Sequence, residues 1–499
     1  MQSILFKFIF ILIAFIPYTL PAQVLQWYKD YNWTVEVNNM FQTTGGNYVI
    51  AADVLFSVDS LGNYLWGIDY QHPWSYSMNL HSAAKADAGG FIISGTISTA
   101  LDVYGFILKT DSLGNPLWCT TATEDCSAQS VIQTTGGAYI FVGSRNLPLN
   151  SGCFISKISS TGNILWSRVT DKPGQETFRS VYPAFDGGFI IAGYTTSFGA
   201  GDRDFLLVKT NSSGNTLWSK AIGGSNTDDG ISVIQSPDSG YVICGSTESF
   251  GAGIADILII KTDSVGTIQW SRTFGGTHYD IPRFIKSSGD GNFFIGGFTQ
   301  SFTPPGFAEL FLIKMTFNGD TLWSRSYGEG NVLDDIIETS DGGLLLGAMN
   351  YPNSELIKLD SMGLGGCYDQ ISFTIDTCSP SVVTPTWNSG FLSFTSVSMD
   401  TLHRTLLITN VCNLSGLGEE FDNTTISVFP NPFNDKLEIS SSGSGINDLF
   451  IFDSLSRKIF STRFSDSISI NTIRLTKGVY FYKLINRNGI LKSGKLIKL

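Results

Sequence analysis

The stretch Leu207-Val-Lys-Thr-Asn-Ser-Ser-Gly-Asn-Thr-Leu-Trp218 decides the fold, because the chain repeats its pattern. An apolar run that ends near a lysine, a turn built on Gly-Asn and a second apolar run that holds a tryptophan together predict a β-hairpin. Repetition of one hairpin along a chain predicts a repeated structural unit rather than unrelated domains. The pattern returns at Asp59–Trp66, Asp111–Trp118, Ser159–Trp166, Asp263–Trp270 and Thr316–Trp323.

Each repeat contains four apolar runs. One holds the tryptophan, one follows a glycine-rich turn such as Gly187-Gly188, one ends at or near a lysine, and the fourth, such as Ser232-Val-Ile-Gln235, lies between tryptophan and glycines. Four short strands in roughly 50 residues are typical of a β-propeller blade. The sequence therefore predicts an all-β protein with a seven-bladed β-propeller over residues 24–366. The tryptophans of the repeats are Trp27, Trp66, Trp118, Trp166, Trp218, Trp270 and Trp323.

The two ends of the repeat array complement each other. The first repeat opens with a tryptophan run at Val24–Tyr28, and the last repeat ends after Lys358 without one. We therefore expect the first strand to complete the last blade, because this pairing removes an open sheet edge. An open superhelix of the same repeats is the alternative. A residue present in every repeat is expected to be structural, and we expect the tryptophans to pack between neighbouring blades.

Composition and motifs exclude several classes of function. The net charge is −12 and the basic residues do not cluster, which argues against a nucleic-acid ligand. Neither zinc-ligand spacing, nor a Gly-x-Ser-x-Gly elbow, nor a phosphate-binding loop occurs in the sequence. We therefore predict no catalytic residue, no metal ligand and no cofactor, and a protein that is not an enzyme. The scattered histidines are His72, His81, His278 and His403.

The N-terminus has the pattern of a secretory signal peptide. Lys7 precedes an apolar run from Phe8 to Ile16, and Pro17 and Ala22 follow. One positive charge, a short apolar run and a small residue at its end predict a signal peptide over residues 1–22, with cleavage near Ala22. An uncleaved anchor is the alternative. Since no later segment is apolar for about 18 residues, we do not expect an integral membrane protein.

The seven cysteines are compatible with one or two disulfides in an oxidising compartment. We predict a bridge between Cys119 and Cys126, and some pairing among Cys367, Cys378 and Cys412. Cys244 lies inside an apolar run, and we therefore expect it to be a buried thiol.

The repeats resemble two groups of known propellers. The turn Asp263-Ser-Val-Gly-Thr-Ile-Gln-Trp270 resembles the docking turns of pyrroloquinoline-quinone-type propellers, although its spacing is one residue shorter. The whole array resembles secreted surface propellers of Bacteroidota-type bacteria. These resemblances imply an architecture, and no cofactor site is carried over from them.

Two segments separate the repeats from the C-terminal domain. Residues 367–413 alternate between apolar and Ser/Thr positions, which predicts an accessory β segment that packs on the propeller or forms a small separate unit. Residues 414–425 are rich in glycine and acidic residues, and we expect an exposed linker there.

Residues 426–499 alternate over short strands and predict a small antiparallel β-sandwich. The domain resembles the type A sorting domain of type IX secretion, with a fibronectin-like module as the alternative. The resemblance implies a secreted or cell-surface protein whose partners are the type IX translocon and the outer-membrane attachment machinery. The residues that carry it, and would form the sorting signal, are Pro430, Asn431, Pro432, Leu437, Gly478, Tyr480, Lys483, Lys495 and Lys498.

Aromatic residues that interrupt the repeat are the candidate ligand contacts. The second repeat adds His72, Trp74 and Tyr76, and the sixth adds Phe302 and Phe307, although Ser301-Phe302 also recurs in register as Ser197-Phe198 and Ser249-Phe250. Because aromatic side chains provide platforms for sugar rings or peptide segments, we expect a binding module for glycan or protein. Irregular loops without a ligand are the alternative interpretation of these residues.

A secreted polysaccharide hydrolase is the alternative function. Paired carboxylates serve such enzymes, and an acidic residue precedes the lysine strand in several repeats. Recurrence at equivalent places favours a role in turn capping instead. These residues are Asp204, Asp256, Glu309 and Glu355.

Overall fold

The chain is an all-β protein in its computed structural model. Every regular secondary-structure element within the described residues is a β-strand, as predicted. Within the same residues no helix has the length and apolar character needed to cross a membrane. The structure describes residues 27–31, 36–71, 77–87, 89–100, 102–145, 152–171, 174–302, 307–329, 332–350, 353–365, 374–376, 381–383, 394–397, 400–403, 408–413, 426–429, 433–441, 447–452, 458–473, 475–486 and 489–498. The predicted signal peptide lies outside these residues.

The N-terminal body, residues 1–412, is built from antiparallel sheets of four strands, which we call units. The strand β1 (Trp27–Tyr31) precedes the first unit in the chain. Unit 1 consists of β2 (Asn39–Gln42), β3 (Tyr48–Ala51), β4 (Leu55–Val58) and β5 (Tyr64–Gln71). Unit 2 consists of β6 (Ser77–Lys85), β7 (Phe91–Ser98), β8 (Val103–Thr110) and the first half of β9 (Pro116–Gln133). Unit 3 consists of the second half of β9, β10 (Tyr139–Arg145), β11 (Gly152–Ile158) and β12 (Ile164–Asp171).

The following units repeat the same order. Unit 4 consists of β13 (Glu176–Pro183), β14 (Phe189–Thr195), β15 (Asp204–Thr210) and β16 (Thr216–Gly223). Unit 5 consists of β17 (Asp228–Gln235), β18 (Tyr241–Thr247), β19 (Asp256–Thr262) and β20 (Ile268–Gly275). Unit 6 consists of β21 (Asp280–Ser287), β22 (Phe293–Thr299), β23 (Glu309–Met315) and β24 (Thr321–Glu329). Unit 7 consists of β25 (Val332–Glu338), β26 (Leu344–Asn350), β27 (Asn353–Leu359) and β1.

The first strand of the chain completes the last unit. Trp27 pairs with Lys358 and Tyr31 pairs with Ser354, so β1 is antiparallel to β27. The core cluster at this junction joins side chains from both ends of the array, such as Phe56 of unit 1 and Leu345 of unit 7. The expected pairing of the first tryptophan strand with the last lysine strand is confirmed.

Each tryptophan packs on a glycine of the following unit, as expected for a residue between neighbouring units. These glycines have positive φ and no side chain, and a Cβ added at Gly214 would lie 2.4 Å from Trp166. Since Trp27 belongs to unit 7 and Gly62 to unit 1, the same contact also joins the last unit to the first. The pairs are Trp27 with Gly62, Trp66 with Gly114, Trp118 with Gly162, Trp166 with Gly214, Trp218 with Gly266, Trp270 with Gly319 and Trp323 with Gly363.

The recurring lysine ties the third strand to the glycine-rich turn of its own unit. The buried Lys261 Nζ lies 2.8 Å from Asp238 in the turn after β17. Although burial opposes the shift, hydrogen bonds from Lys261 and Ser236 lower the pKa of Asp238 to about 2. The equivalent pairs are Lys209 with Asp186, Lys314 with Asp290 and Lys358 with Asp341.

The segment after unit 7 adds a fifth strand to several units, and we call its strands the belt. The belt follows the units in the reverse of their order along the chain. It therefore packs on the repeats, which is the first of the two arrangements expected for this segment. The belt strands are β28 (Thr374–Asp376) on unit 5, β29 (Ser381–Val383) on unit 4, β30 (Phe394–Val397) on unit 2, β31 (Asp400–His403) on unit 1 and β32 (Ile408–Asn413) on unit 7.

The predicted disulfide between Cys119 and Cys126 is wrong. Both are free, buried thiols, and burial raises the pKa of each to about 12. They lie on one continuous strand, β9, where residues rise about 3.3 Å each, so their Cα atoms are separated far beyond the roughly 7 Å that a disulfide permits. Cys244 is a free buried thiol, as predicted. Cys367 and Cys378 lie outside the described residues, and the side chain of Cys412 is not described.

The C-terminal body, residues 413–499, contains two antiparallel sheets. Leu437 and Ile470 of the first sheet share one apolar cluster with Leu449 and Leu484 of the second. The first sheet has the order β33 (Ile426–Phe429), β34 (Lys436–Ser441) and β37 (Ser467–Asn471). The second has the order β36 (Lys458–Phe464), β35 (Asn447–Phe452), β38 (Gly478–Asn486) and β39 (Gly489–Lys498).

Candidate functional site

A cavity of about 960 Å³ is lined by the first strand of every unit. Each first strand contributes an apolar residue to the wall beside polar ones. Because every unit borders this cavity, its mouth marks one end of a candidate binding face. The equivalent wall residues are Met40, Ala83, Val131, Val181, Val233, Ile285 and Ile336.

Hydrogen bonds between neighbouring first strands define this wall. In units 2 to 5 a backbone N–H donates to a side-chain oxygen of the preceding unit, as Ala83 does to Asn39 Oδ1 at 2.6 Å. The same contact joins unit 1 to unit 7, where Met40 N–H donates to Asp335 Oδ2 at 2.8 Å. The other donors and acceptors are Val131 to Ser82, Val181 to Ser130 and Val233 to Ser180.

A buried carboxyl lies in the wall between units 6 and 7. Asp334 Oδ1 is 3.7 Å from Arg283 Nε, and Arg283 also lies 3.5 Å from Glu36 Oε1. Burial raises the pKa of Asp334 to about 8. The negative charge of Glu36 adds to this rise, and the positive charge of Arg283 opposes it. The neighbouring Asp335 is paired with Lys286. Burial therefore favours the neutral form of Asp334.

The predicted contact residues Phe302 and Phe307 are exposed on the loop between β22 and β23. Phe302 is 37% exposed and Phe307 is 50% exposed. The loop hydrogen bonds to the segment before β21, because His278 N–H donates to Ser301 Oγ at 3.0 Å and Gln300 N–H donates to Tyr279 O at 2.8 Å. The other predicted contacts, His72, Trp74 and Tyr76, lie outside the described residues.

Two further exposed apolar residues neighbour this loop. Tyr279 is 42% exposed and pairs through a parallel β-bridge with Ala255, which follows the 49% exposed Ile254. We call Ile254, His278, Tyr279, Phe302 and Phe307 the aromatic patch. The patch spans the junction of units 5 and 6.

Ile254, His278 and Tyr279 of the aromatic patch replace polar residues of the preceding junction, whereas Phe302 is equivalent to Phe250 there. The bridge between Arg203 and Thr227 is equivalent to that between Ala255 and Tyr279. By the same register Asp202 is equivalent to Ile254, and Asn226 is equivalent to His278. Sequence reasoning found Phe302 and Phe307 but missed Ile254 and Tyr279. Aligning the repeats by this register would have revealed both substitutions.

Two of the recurring acidic residues before the lysine strand, Asp204 and Asp256, cap turns, as their recurrence suggested. Asp204 accepts a hydrogen bond from Gly201 N–H at 3.2 Å, and Asp256 accepts one from Gly253 N–H at 3.0 Å. Both aspartates are at most 1% exposed. Within the described residues no group of three or more His, Cys, Asp or Glu side chains has the arrangement of a metal site.

Three of the predicted sorting-signal residues, Leu437, Tyr480 and Lys498, are buried in the C-terminal body. Leu437 is fully buried, and the Tyr480 hydroxyl donates to Thr476 O at 2.7 Å. Lys498 is also buried; its Nζ donates to Asn434 O and lies 3.4 Å from Asp435 Oδ1. Gly478 begins β38, and Lys483 and Lys495 lie on β38 and β39. Pro430, Asn431 and Pro432 lie outside the described residues.

The C-terminal body matches a known family model. Residues 427–498 match the secretion system C-terminal sorting domain. This tail is a type IX sorting domain. The resemblance drawn from the sequence is confirmed, and the protein is exported to the cell surface or beyond it. The sorting domain implies the type IX secretion machinery as a partner.

The other matches are distant. The chain is 24% identical over 141 residues to regulatory protein FlaEY of Caulobacter vibrioides, a match that spans 25% of this chain and 15% of that protein. A solved protein of unknown function from Bacteroides caccae is 12% identical, with 60% of this chain and 94% of that chain covered and a TM-score of 0.36. Soluble aldose sugar dehydrogenase from Escherichia coli is 10% identical, with 59% and 99% covered and a TM-score of 0.34. These scores support no conclusion about ligand or activity.

Proposed function

We propose that this exported protein is a non-enzymatic glycan-binding module. In this proposal units 1 to 7 are the blades of a closed seven-bladed β-propeller over residues 24–366, and residues 426–499 form the β-sandwich that directs export. The observation that carries the binding role is the aromatic patch, in which Ile254, His278 and Tyr279 interrupt the repeat beside the exposed Phe302 and Phe307.

Three series of contacts support a closed ring. The tryptophan-glycine contacts continue from Trp27 to Gly62, the inner hydrogen bonds continue from Asp335 to Met40, and one cavity touches every unit. In each series unit 7 contacts unit 1 in the same way as other units contact the unit that follows. An open superhelix would lack the pairing of β1 with β27.

The composition of the aromatic patch favours a sugar ligand. Sugar rings present apolar faces that pack on aromatic side chains, and hydroxyl edges that need hydrogen-bonding partners. The patch offers exposed rings at Tyr279, Phe302 and Phe307, together with the His278 imidazole, whose Nδ1 lies 2.9 Å from Thr277 Oγ1. A protein ligand is the second possibility within the same binding role.

Burial of the carboxylates supports binding over hydrolysis. A glycosidase needs two carboxyl groups that both reach the substrate, about 5 to 9.5 Å apart. Asp204 and Asp256 are buried and occupied as turn caps. The hydrolase nevertheless makes a distinct prediction, which is release of soluble fragments from a polysaccharide.

The test is a binding and turnover screen with the mature protein. Immobilised glycans and surface proteins are probed, and any bound polysaccharide is then incubated with the protein and analysed for released fragments. We expect saturable retention on a glycan without fragments. The double variant Tyr279→Ala/Phe302→Ala should lose this retention, because it removes two of the exposed rings.

Phe185→Ala is the matched control. Phe185 is 66% exposed, but it lies in the turn between β13 and β14 rather than in the aromatic patch. Equal loss in the control would indicate non-specific adsorption. Retention only on protein would replace the glycan with a protein ligand, and released fragments would favour the hydrolase.

A further inference from the structure

A second group of side chains interrupts the repeat at the junction of units 4 and 5. Arg179 and Arg203 both contact Tyr194, with guanidinium carbons 5.1 and 4.4 Å from the ring centroid. Both arginines also approach one carboxylate, since Asp229 Oδ2 lies 2.9 Å from Arg179 and 3.6 Å from Arg203. We call these four residues the arginine cluster.

The arginine cluster has no counterpart at the next junction. Arg179 is equivalent to Ile231, because each is the bulged residue in the first strand of its unit. The same strand register makes Tyr194 equivalent to Ser246. The other two equivalents are Ala255 for Arg203 and Ile281 for Asp229. None of the four replacements can form an ion pair, so the cluster is not a part of the repeated scaffold.

One carboxylate oxygen in the cluster lacks a donor. Asp229 Oδ1 is buried and accepts no hydrogen bond, although its side chain remains 14% exposed. Burial raises the pKa of Asp229, and the two arginines oppose that shift. An unsatisfied buried acceptor carries a free-energy cost that a ligand hydroxyl would remove.

The arginines provide donors beside this acceptor. Their side chains are 33% and 36% exposed at Arg179 and Arg203, so each guanidinium reaches solvent while its contact with Tyr194 holds it in place. A guanidinium has five N–H donors, and the contact with Asp229 uses only part of them. The cluster therefore presents a fixed acceptor next to fixed donors.

We propose that the arginine cluster binds a saccharide through two neighbouring hydroxyl groups. One hydroxyl donates to the Asp229 carboxylate, whose side chain is 14% exposed, and the oxygen of the other accepts from Arg203. This inference rests on the proposed glycan-binding function and adds the chemistry of recognition, which is a vicinal diol. The diol belongs equally to a neutral sugar and to a uronic acid, and the test separates these sources.

The experiment measures the affinity of the full mature protein for soluble polysaccharides by calorimetry. The probes are a neutral glucan, a galactomannan and polygalacturonate, each before and after periodate oxidation, which cleaves vicinal diols. We expect at least one untreated probe to bind and its oxidised form to fail. Arg203→Ala and Asp229→Asn should each weaken that binding by about tenfold or more, since each removes a charge-assisted hydrogen bond.

Arg272→Ala is the matched control, because Arg272 also contacts an aromatic ring, that of Trp270 at 5.7 Å, but lies outside the arginine cluster. Its affinity should equal that of the wild type. Thermal unfolding of each variant verifies that it is folded. A requirement for polygalacturonate would assign the ligand as a uronate, and equal binding of neutral probes would assign a neutral sugar.

Two results would overturn the inference separately. If folded Arg203→Ala and Asp229→Asn bind like the wild type while Tyr279→Ala/Phe302→Ala does not, the glycan-binding function stands and the arginine cluster is only structural. If periodate oxidation leaves binding unchanged, the vicinal diol is not the recognised group. If the wild type binds no saccharide at all, both proposals fail together.

Discussion

A disulfide across the junction of β1 and β27 would test the closed ring directly. Tyr28 lies opposite Ile357 in the antiparallel register. Facing residues on paired strands have Cα atoms about 4.5 to 5.5 Å apart, which suits a disulfide. In the double variant Tyr28→Cys/Ile357→Cys we therefore expect an intramolecular bridge. The described native thiols should not compete, because burial raises the pKa of Cys119 and Cys126 to about 12.

The stabilisation follows from the length of chain that the bridge encloses. A bridge between residues 28 and 357 closes a loop of about 330 residues, and chain entropy then destabilises the unfolded state by about 6 kcal/mol as an upper value. The assay is guanidinium unfolding of oxidised and reduced protein, followed by tryptophan fluorescence. All ten tryptophans precede residue 413, so this signal reports only the N-terminal body.

The controls separate closure from accidental oxidation. Tyr28→Cys alone should show the same unfolding midpoint when oxidised and reduced, and peptide mapping should find the bridge only in the double variant. Disulfide-linked oligomers, or a monomer with both introduced thiols free after oxidation, would refute the closed ring and favour the open superhelix.

Three further perturbations have defined outcomes. Gly214→Ala should destabilise the protein more than Gly187→Ala. Both glycines have positive φ, where any side chain costs about 1–2 kcal/mol, but only a side chain at residue 214 would also collide with Trp166. Equal unfolding midpoints would contradict this packing. Asp334 has a pKa raised by burial to about 8, so folding binds a proton that the unfolded chain releases near pH 4. The contribution of Asp334 to the free energy of unfolding should therefore fall as pH rises from about 4 to about 8. In urea titrations the difference in unfolding free energy between the wild type and Asp334→Asn should change over this range, whereas parallel curves would be inconsistent with it. Deletion of residues 426–499 should abolish delivery to the cell surface, measured by protease accessibility on intact cells, and undiminished surface exposure would contradict the sorting role.

The repeat was predictable because its signals are local. The hairpin that ends at Trp218 contains its own turn. Each repeat also has a glycine at the same place in this turn, and the tryptophan of the preceding repeat contacts it. The pairing of β1 with β27 also followed from the sequence, because one end lacked what the other supplied. The belt strands were not assigned to their units, since three- to six-residue strands such as Thr374–Asp376 and Ile408–Asn413 carry little pattern and pair with partners far away in the chain.

The candidate site was predictable only in part. Phe307 stands out because it adds an aromatic residue to a repeat, and Phe302 belongs to a Ser-Phe pair that recurs in the sequence. Arg203 and Tyr279 instead each replace one residue without changing the length of the loop. Such single replacements become visible only when strand register aligns the units. The wrong disulfide had a related cause, because nothing local indicated that Cys119 and Cys126 share one strand that serves two sheets.

The position of β1 between β27 and β32 determines the order in which the N-terminal body can be completed. The strand β1 must wait for partners that are synthesised more than 300 residues later. Until residues 353–359 and 408–413 exist, the closing sheet lacks the strands on both sides of β1. Completion of the N-terminal body thus comes just before synthesis of the sorting domain, so a chain that ends before residue 408 would have neither a finished closing sheet nor a sorting domain.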